Sequence, residues 1–90
     1  MTSKVVYTGN LHTEATHSKS GVKIKTDAPE DNRGKGESFS PSDLTATSLA
    51  TCMLTIMGIR AEDNEFSVDG AEAEVIKIMA DEPRCISEII

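Results

Sequence analysis

The chain has few aromatic residues: among its 90 residues are one tyrosine, two phenylalanines and no tryptophan. Aromatic side chains supply much of the buried area of a core, so few are available here to cover the long uncharged run at residues 44–59, which is described below as a predicted helix. A chain of this size buries roughly 60 to 65% of its unfolded surface. We therefore expect at most one domain, residues 1–90, whose core a second copy completes in a homodimer.

Positive charge and cysteine are also scarce. The net charge is −6, and residues 62–90 hold two Lys and Arg against nine Asp and Glu, whereas residues 1–61 hold seven against six. This balance disfavours nucleic acid and anionic membrane as partners. The first residues contain no apolar signal segment, so we expect the cytoplasm. In that compartment two cysteines are typical of reduced thiols rather than of a structural disulfide.

A helix start signal lies in the run Phe-Ser-Pro-Ser-Asp-Leu at 39–44. Ser40 can serve as N-cap, Pro41 suits the first helical position, and Asp43 stands close to a capping box. The uncharged residues 44–59 follow, and they leave almost no polar face. This pattern predicts a helix that is buried nearly all round. It looks too short and too rich in Thr to span a bilayer, which needs about 20 apolar residues.

Alternating apolar residues and turn formers predict strands on both sides of this helix. The resulting order is βββ, loop, α, ββ, an α+β fold with a three-stranded N-terminal meander, a long buried central helix and a β-hairpin. The last strand ends without a cap, so we also expect the N-terminal portion of a longer protein. The predicted strands are residues 4–8, 11–17, 22–27, 71–80 and 84–90, with a loop at 28–38 and a turn at 81–83.

One thiol, Cys52, falls near the middle of the predicted helix. It is either a nucleophile or a small core residue. Burial would raise its pKa, and it lies about three turns from the helix N-terminus, too far for the helix dipole to help. An activating charge would come from Arg33, Lys35 or Arg60. Cys85, on a predicted strand, is structural or incidental unless its Cα lies within ~7 Å of that of Cys52, where the two could form a redox pair.

The two histidines, His12 and His17, are five residues apart on a predicted strand, so their side chains point to opposite faces. We therefore expect no shared metal ion, and no other residues have the spacing of a metal site. His17 is either a base or hydrogen-bond donor near Cys52 or an ordinary strand histidine. The run Arg-Gly-Lys-Gly at 33–36 could bind an anion or form a surface loop. It does not lie between a strand and a helix, so it predicts no nucleotide site, and we expect no cofactor.

Six stretches of the chain are typical of a known family. They are Ala-Thr-His-Ser-Lys-Ser-Gly at 15–21, Thr-Asp-Ala-Pro-Glu-Asp-Asn at 26–32, Gly-Lys-Gly at 34–36, Phe-Ser-Pro-Ser-Asp-Leu at 39–44, the helix from Cys52 to Gly58, and Pro-Arg-Cys-Ile-Ser at 83–87. Together they resemble the family of osmotically inducible protein C (OsmC) and organic hydroperoxide resistance protein. A less characterised OsmC-like subgroup is the most similar.

The resemblance implies an intertwined homodimer with its active sites at the subunit interface. The family cysteine matched by Cys52 attacks an organic hydroperoxide and becomes a sulfenic acid. A second cysteine, on a C-terminal helix that would lie beyond Ile90, then forms a disulfide that a dithiol reductant reopens. This implies that the chain lacks the C-terminal helix and last strands of the family.

Two other positions differ from the family pattern. Ser42 stands where the family has an active-site glutamate, although Asp43 is next to it. No arginine lies near Leu11, where the family has one. Two functions therefore remain open. One is a redox protein that reduces organic peroxides through Cys52, with Ser42, Asp43, His17 and Arg33 as supporting residues. The other is a non-enzymatic module that binds a small apolar ligand or a partner.

Overall fold

The chain has the predicted element order βββ, α, ββ in a computed structural model. The structure describes residues 1–81 and 84–90. It divides into two compact units, Met1–Pro41 and Ser42–Ile90. Its elements are β1 (Ser3–Gly9), β2 (His12–His17), β3 (Lys23–Asp27), a short 3-10 turn (Glu30–Asn32), α1 (Pro41–Asp63), β4 (Lys77–Asp81) and β5 (Arg84–Ile89).

The first unit contains an antiparallel sheet with the strand order β1-β2-β3. The turn from β1 to β2 needs left-handed backbone at Gly9, Asn10 and Leu11, with φ of 100°, 54° and 65°. Gly and Asn tolerate this region best, which explains why the Gly-Asn pair marked the turn. The β2–β3 register places His12 opposite Asp27. The predicted loop follows β3, interrupted only by the 3-10 turn.

Helix α1 begins at Pro41, as its start signal predicted. Ser40, directly before it, is buried, in agreement with a place at the N-cap position. Asp43 lies in the first turn of the helix and Arg60 in its last turn. These charges complement the helix dipole, which carries partial positive charge at the N-terminus and negative charge at the C-terminus.

The side chains of α1 are much more exposed than the sequence predicted. Only Ala46 and Ala61 are buried in this helix. The expectation of a helix covered nearly all round is therefore wrong for the single chain, because the described part of its unit offers only a two-stranded hairpin to cover it. The large exposed residues, each between 47% and 58% exposed, are Leu49, Met53, Ile56, Met57 and Ile59.

The length of α1 also differs from expectation. With 23 residues it is long and apolar enough to cross a membrane, so the prediction that it is too short was wrong. One such helix is weak support for a membrane span, because the core helix of a soluble protein meets the same criteria.

The second unit contains the antiparallel hairpin of β4 and β5. Strand β4 begins at Lys77, later than the predicted start at residue 71. Residues 71–74 are Ala-Glu-Ala-Glu and are exposed, and Ala and Glu are depleted in strands, which accounts for the shorter strand. The backbones of Ile76 and Ile90 still exchange two hydrogen bonds, of 2.9 and 2.7 Å. The predicted turn at 81–83 falls largely on residues outside the described part of the chain.

Candidate functional site

The thiol of Cys52 lies midway along α1 and is free and exposed. This corrects the expectation of a thiol inside an apolar core. Cys52 is exposed for the same reason as the other side chains of α1, because the hairpin does not cover its side of the helix. Cys85, on β5, is also free and exposed. The second unit thus presents two accessible thiols in different surroundings, one on a helix and one on a strand.

An apolar cleft runs along α1 within the second unit. Its walls combine one side of the helix with the extended segment before β4 and the end of β5. Leu49 belongs to this lining and precedes Cys52 by three residues, so the two side chains are neighbours on the helix surface. The lining residues are Ala46, Leu49, Ala50, Met53, Leu54, Met57, Ala71, Glu72, Ala73, Glu74, Val75, Ile89 and Ile90.

Polar contacts at the start of α1 involve a residue that the sequence did not point to. The Nζ of Lys77 donates to the Oγ of Ser42 at 2.6 Å and lies 2.9 Å from Oδ1 of Asp43. Lys77 is one of two cations among residues 62–90, which was the available signal for this ion pair. Asp43 and Cys52 are nine residues apart, about 13 Å along one helix axis and on opposite sides of it.

His17 and Arg33 belong to the first unit, and their support of Cys52 stays a prediction. The Nδ1 of His17 lies 2.6 Å from the Oγ of Ser20 and accepts the Ser20 backbone N–H at 3.2 Å. These contacts make His17 part of the turn between β2 and β3. Arg33 is exposed and has a left-handed φ of 72° at the end of the 3-10 turn.

A second group of polar side chains lies within the first unit. The Nε2 of His12 is 3.5 Å from Oδ1 of Asp27 and 3.7 Å from Oε2 of Glu37. The sequence pattern missed this cluster because it compared His12 with His17 on one strand. The cross-strand pairing of His12 with Asp27 was the signal that could have revealed it.

Asp27 is held as a carboxylate in this cluster. The backbone N–H of Glu37 donates to its Oδ2 at 3.0 Å. This hydrogen bond lowers the pKa of Asp27 below its usual 3.8, more than burial raises that pKa, and the nearby His12 and the backbone N–H groups of Lys35 and Ala28 lower it further. Asp27 therefore carries a negative charge although its exposure is 1%.

The fold and these sites define an α+β protein with an accessible helix thiol beside an apolar cleft. It is similar to a crystal structure of a "putative osmotic stress induced and detoxification response protein" from Psychrobacter arcticus 273-4. The two share 60% sequence identity with a TM-score of 0.95, over 99% of this chain and 65% of that chain. No family model and no curated protein matches the chain.

This similarity confirms the family that the motifs predicted. The chain belongs to the OsmC-like family, and its α+β fold is the fold of that family. It spans about two thirds of the length of the Psychrobacter protein, 65% of that chain.

Proposed function

We propose that this OsmC-like stress protein is a thiol-dependent redox protein that reduces organic hydroperoxides through Cys52. The observation that carries the proposal is the free, exposed thiol midway along α1, at the position of the family's reactive cysteine. The name of the Psychrobacter protein, which refers to a detoxification response, supports the same class of function. We place the activity in the cytoplasm, where thiols stay reduced.

The proposed reaction has two stages. The Cys52 thiolate attacks the terminal oxygen of the hydroperoxide, the O–O bond breaks, and the alkoxide takes a proton and leaves as the alcohol. Cys52 is then a sulfenic acid. A dithiol reductant attacks its sulfur, water leaves, and a mixed disulfide forms. The second thiol of the reductant breaks this disulfide, which regenerates Cys52 and releases the oxidised reductant.

The apolar cleft of the second unit supports an organic rather than an inorganic peroxide as substrate. Leu49 lies both in the cleft and one turn before Cys52, so the apolar part of a substrate in the cleft would bring its peroxide group toward the thiol. Met53 and Met57 in the same lining are flexible and can adapt to different apolar groups. Hydrogen peroxide has no apolar part and would gain nothing from this surface.

We further propose that the active protein is a homodimer whose second copy covers α1. The exposed Ile56 and Ile59 on this helix are typical of surfaces that another chain buries. A second copy would also supply polar groups near Cys52. Within one helix Ser42 and Asp43 lie about 13 to 15 Å along the axis from the thiol, and they already contact Lys77.

Rapid-mixing kinetics with an organic hydroperoxide test the proposed activity. We expect the thiol of the wild type to oxidise faster than free cysteine, and the Cys52→Ser variant to lose this reaction. Cys85→Ser is the matched control, because both thiols are exposed in the same unit. This variant should keep the reaction, since Cys52 is still present. A wild-type rate equal to that of free cysteine would contradict a peroxidase.

A binding module without redox activity is the second candidate. The contacts of Asp43 and Ser42 with Lys77 favour it. Because these two residues are engaged with Lys77, no residue at the start of α1 replaces the active-site glutamate of the family. In that case the cleft would bind a small apolar ligand. Binding of a fluorescent fatty acid would then be unchanged in Cys52→Ser and weakened in Met53→Asp, with no thiol oxidation in either protein.

A further inference from the structure

Three side chains from separate parts of the first unit point their acceptor atoms at a common position. His12 begins β2, Asp27 ends β3, and Glu37 lies in the loop before α1. One ring nitrogen of His12 and one carboxylate oxygen each of Asp27 and Glu37 lie within 4.8 Å of one another, and Nε2 is the nitrogen that lies near both carboxylates. The sheet register fixes two of the three, because His12 and Asp27 are direct cross-strand partners.

The orientation of the His12 ring is set by the main chain. Its Nδ1 lies 2.8 Å from the carbonyl oxygen of Asn10. A carbonyl can only accept a hydrogen bond, so Nδ1 carries the proton. In the neutral ring Nε2 then presents a lone pair to the two carboxylates. Metal-binding histidines are commonly held in this way, with the other ring nitrogen donating to a backbone carbonyl.

Asp27 provides an independent sign that something positive belongs here. The residue is 1% exposed, and its Oδ2 accepts the N–H of Glu37. Its Oδ1 is buried and has no hydrogen-bond partner within the described part of the chain. A buried carboxylate oxygen without a partner is costly and rare. This oxygen faces the His12 Nε2 at 3.5 Å, where a cation between the two atoms would satisfy both.

The geometry points to a divalent transition-metal site formed by His12 Nε2, Asp27 Oδ1 and Glu37 Oε2. Ligand atoms about 2.1 Å from a tetrahedral zinc ion lie about 3.4 Å apart. The Nε2 distances to the two carboxylate oxygens are 3.5 and 3.7 Å. The side chain of Glu37 is 59% exposed, so a small rotation can complete the coordination.

The donor set selects the class of metal. One imidazole nitrogen with two carboxylate oxygens suits zinc or a related first-row ion, whereas magnesium and calcium prefer oxygen ligands alone. Three protein ligands leave a fourth position for water or an anion. Arg33 and Lys35 line the cavity next to His12 and Glu37, and their charges favour an anionic fourth ligand.

Titration of the full, chelator-treated chain with zinc alone tests this site by calorimetry. We expect one ion per chain, with affinity lowered roughly tenfold or more by His12→Ala and by Glu37→Gln. Glu37→Gln keeps the backbone N–H that Asp27 needs, so it separates loss of a ligand from loss of folding. His17→Ala removes the other histidine and should bind zinc like the wild type.

Free thiols also bind zinc, so the same titration is repeated with Cys52→Ser and Cys85→Ser, which should retain the site. As a second measurement, cobalt(II) should broaden the NMR signals of the His12 ring and leave those of His17 sharp. The proposal would be overturned if the wild type bound no stoichiometric ion, which would leave His12 with Asp27 and Glu37 as a contact between side chains alone. It would also be overturned if His12→Ala and Glu37→Gln bound zinc like the wild type. The outcome is independent of the redox role of Cys52.

Discussion

The two compact units of this protein bury different kinds of residue. In the first unit the buried polar residues are Thr26, Asp27 and Ser40, whereas in the described part of the second unit the buried residues are Ala46 and Ala61. The first unit thus orders polar groups within a single chain. The second leaves most of an apolar helix exposed to solvent. The comparison teaches that one copy brings a polar cluster together by itself, whereas the exposed surface around Cys52 is the one that we propose a second copy covers.

The largest expected effect is on the exposed helix of the second unit. Ile56→Asp would place a charge in the proposed dimer interface, and an uncompensated buried charge costs about 3–5 kcal/mol. We expect the dimer dissociation constant to rise by at least about a hundredfold, as measured by analytical ultracentrifugation. Val22→Asp, at a similarly exposed position outside α1, is the control. If Ile56→Asp associated as tightly as the wild type, α1 would not be part of the dimer interface.

The next effect concerns close packing in the first unit. A Cβ at Gly34 would overlap the carbonyl oxygen of Ala28, so Gly34→Ala must displace the loop that carries Glu37. We expect a loss of about 1–3 kcal/mol in the free energy of unfolding, measured with denaturant. A variant as stable as the wild type would show that this loop is not held as tightly as the polar cluster requires.

A smaller effect is expected where β4 meets the start of α1. Lys77→Gln removes the ion pair with Asp43, which should lower the free energy of unfolding by about 0.5–1 kcal/mol. The oxidation rate of Cys52 should not change, because the pair lies far along the helix from the thiol. Slower oxidation in Lys77→Gln would instead indicate that Asp43 or Lys77 acts near Cys52 in the proposed dimer. Lys4→Gln, an exposed cation on β1, is the control.

The last effect matches the previous one in size but is a gain in stability. Gly58 lies inside α1, and a Cβ added there meets nothing within 4 Å. Gly58→Ala should therefore stabilise the helix by about 0.5–1 kcal/mol, measured by thermal unfolding. A loss of stability would contradict this expectation and indicate that a second copy approaches the helix closely at this glycine.

The fold followed from local signals that the sequence shows directly. Ser40, Pro41 and Asp43 predicted the start of α1 to the residue, and turn formers predicted β1 to β3 to within a residue at most boundaries. The family followed from motifs, and the Psychrobacter structure confirms it. The exposure of α1 could not be predicted, because burial depends on what covers a helix and not on its own composition.

The polar contacts were beyond the reach of sequence patterns. His12 contacts Asp27 and Glu37 across a strand pair and a loop, and a spacing rule for metal ligands does not cover that arrangement. The contact between Asp43 and Lys77 joins residues far apart in the chain. Cys52 could be selected because the family resemblance drew attention to it. Its surroundings, an apolar cleft on one side and solvent on another, required the structure.

The most direct test of the central claim compares the two thiols within one molecule. Cys52 and Cys85 are both free and exposed in the same unit, so exposure alone predicts equal reactivity. The wild type is treated with one equivalent of an organic hydroperoxide in the presence of a sulfenic-acid trap, and the label is located by mass spectrometry. The account predicts a label on Cys52, with Cys85 essentially unlabelled. Equal labelling of both thiols, or label on Cys85 alone, would contradict it.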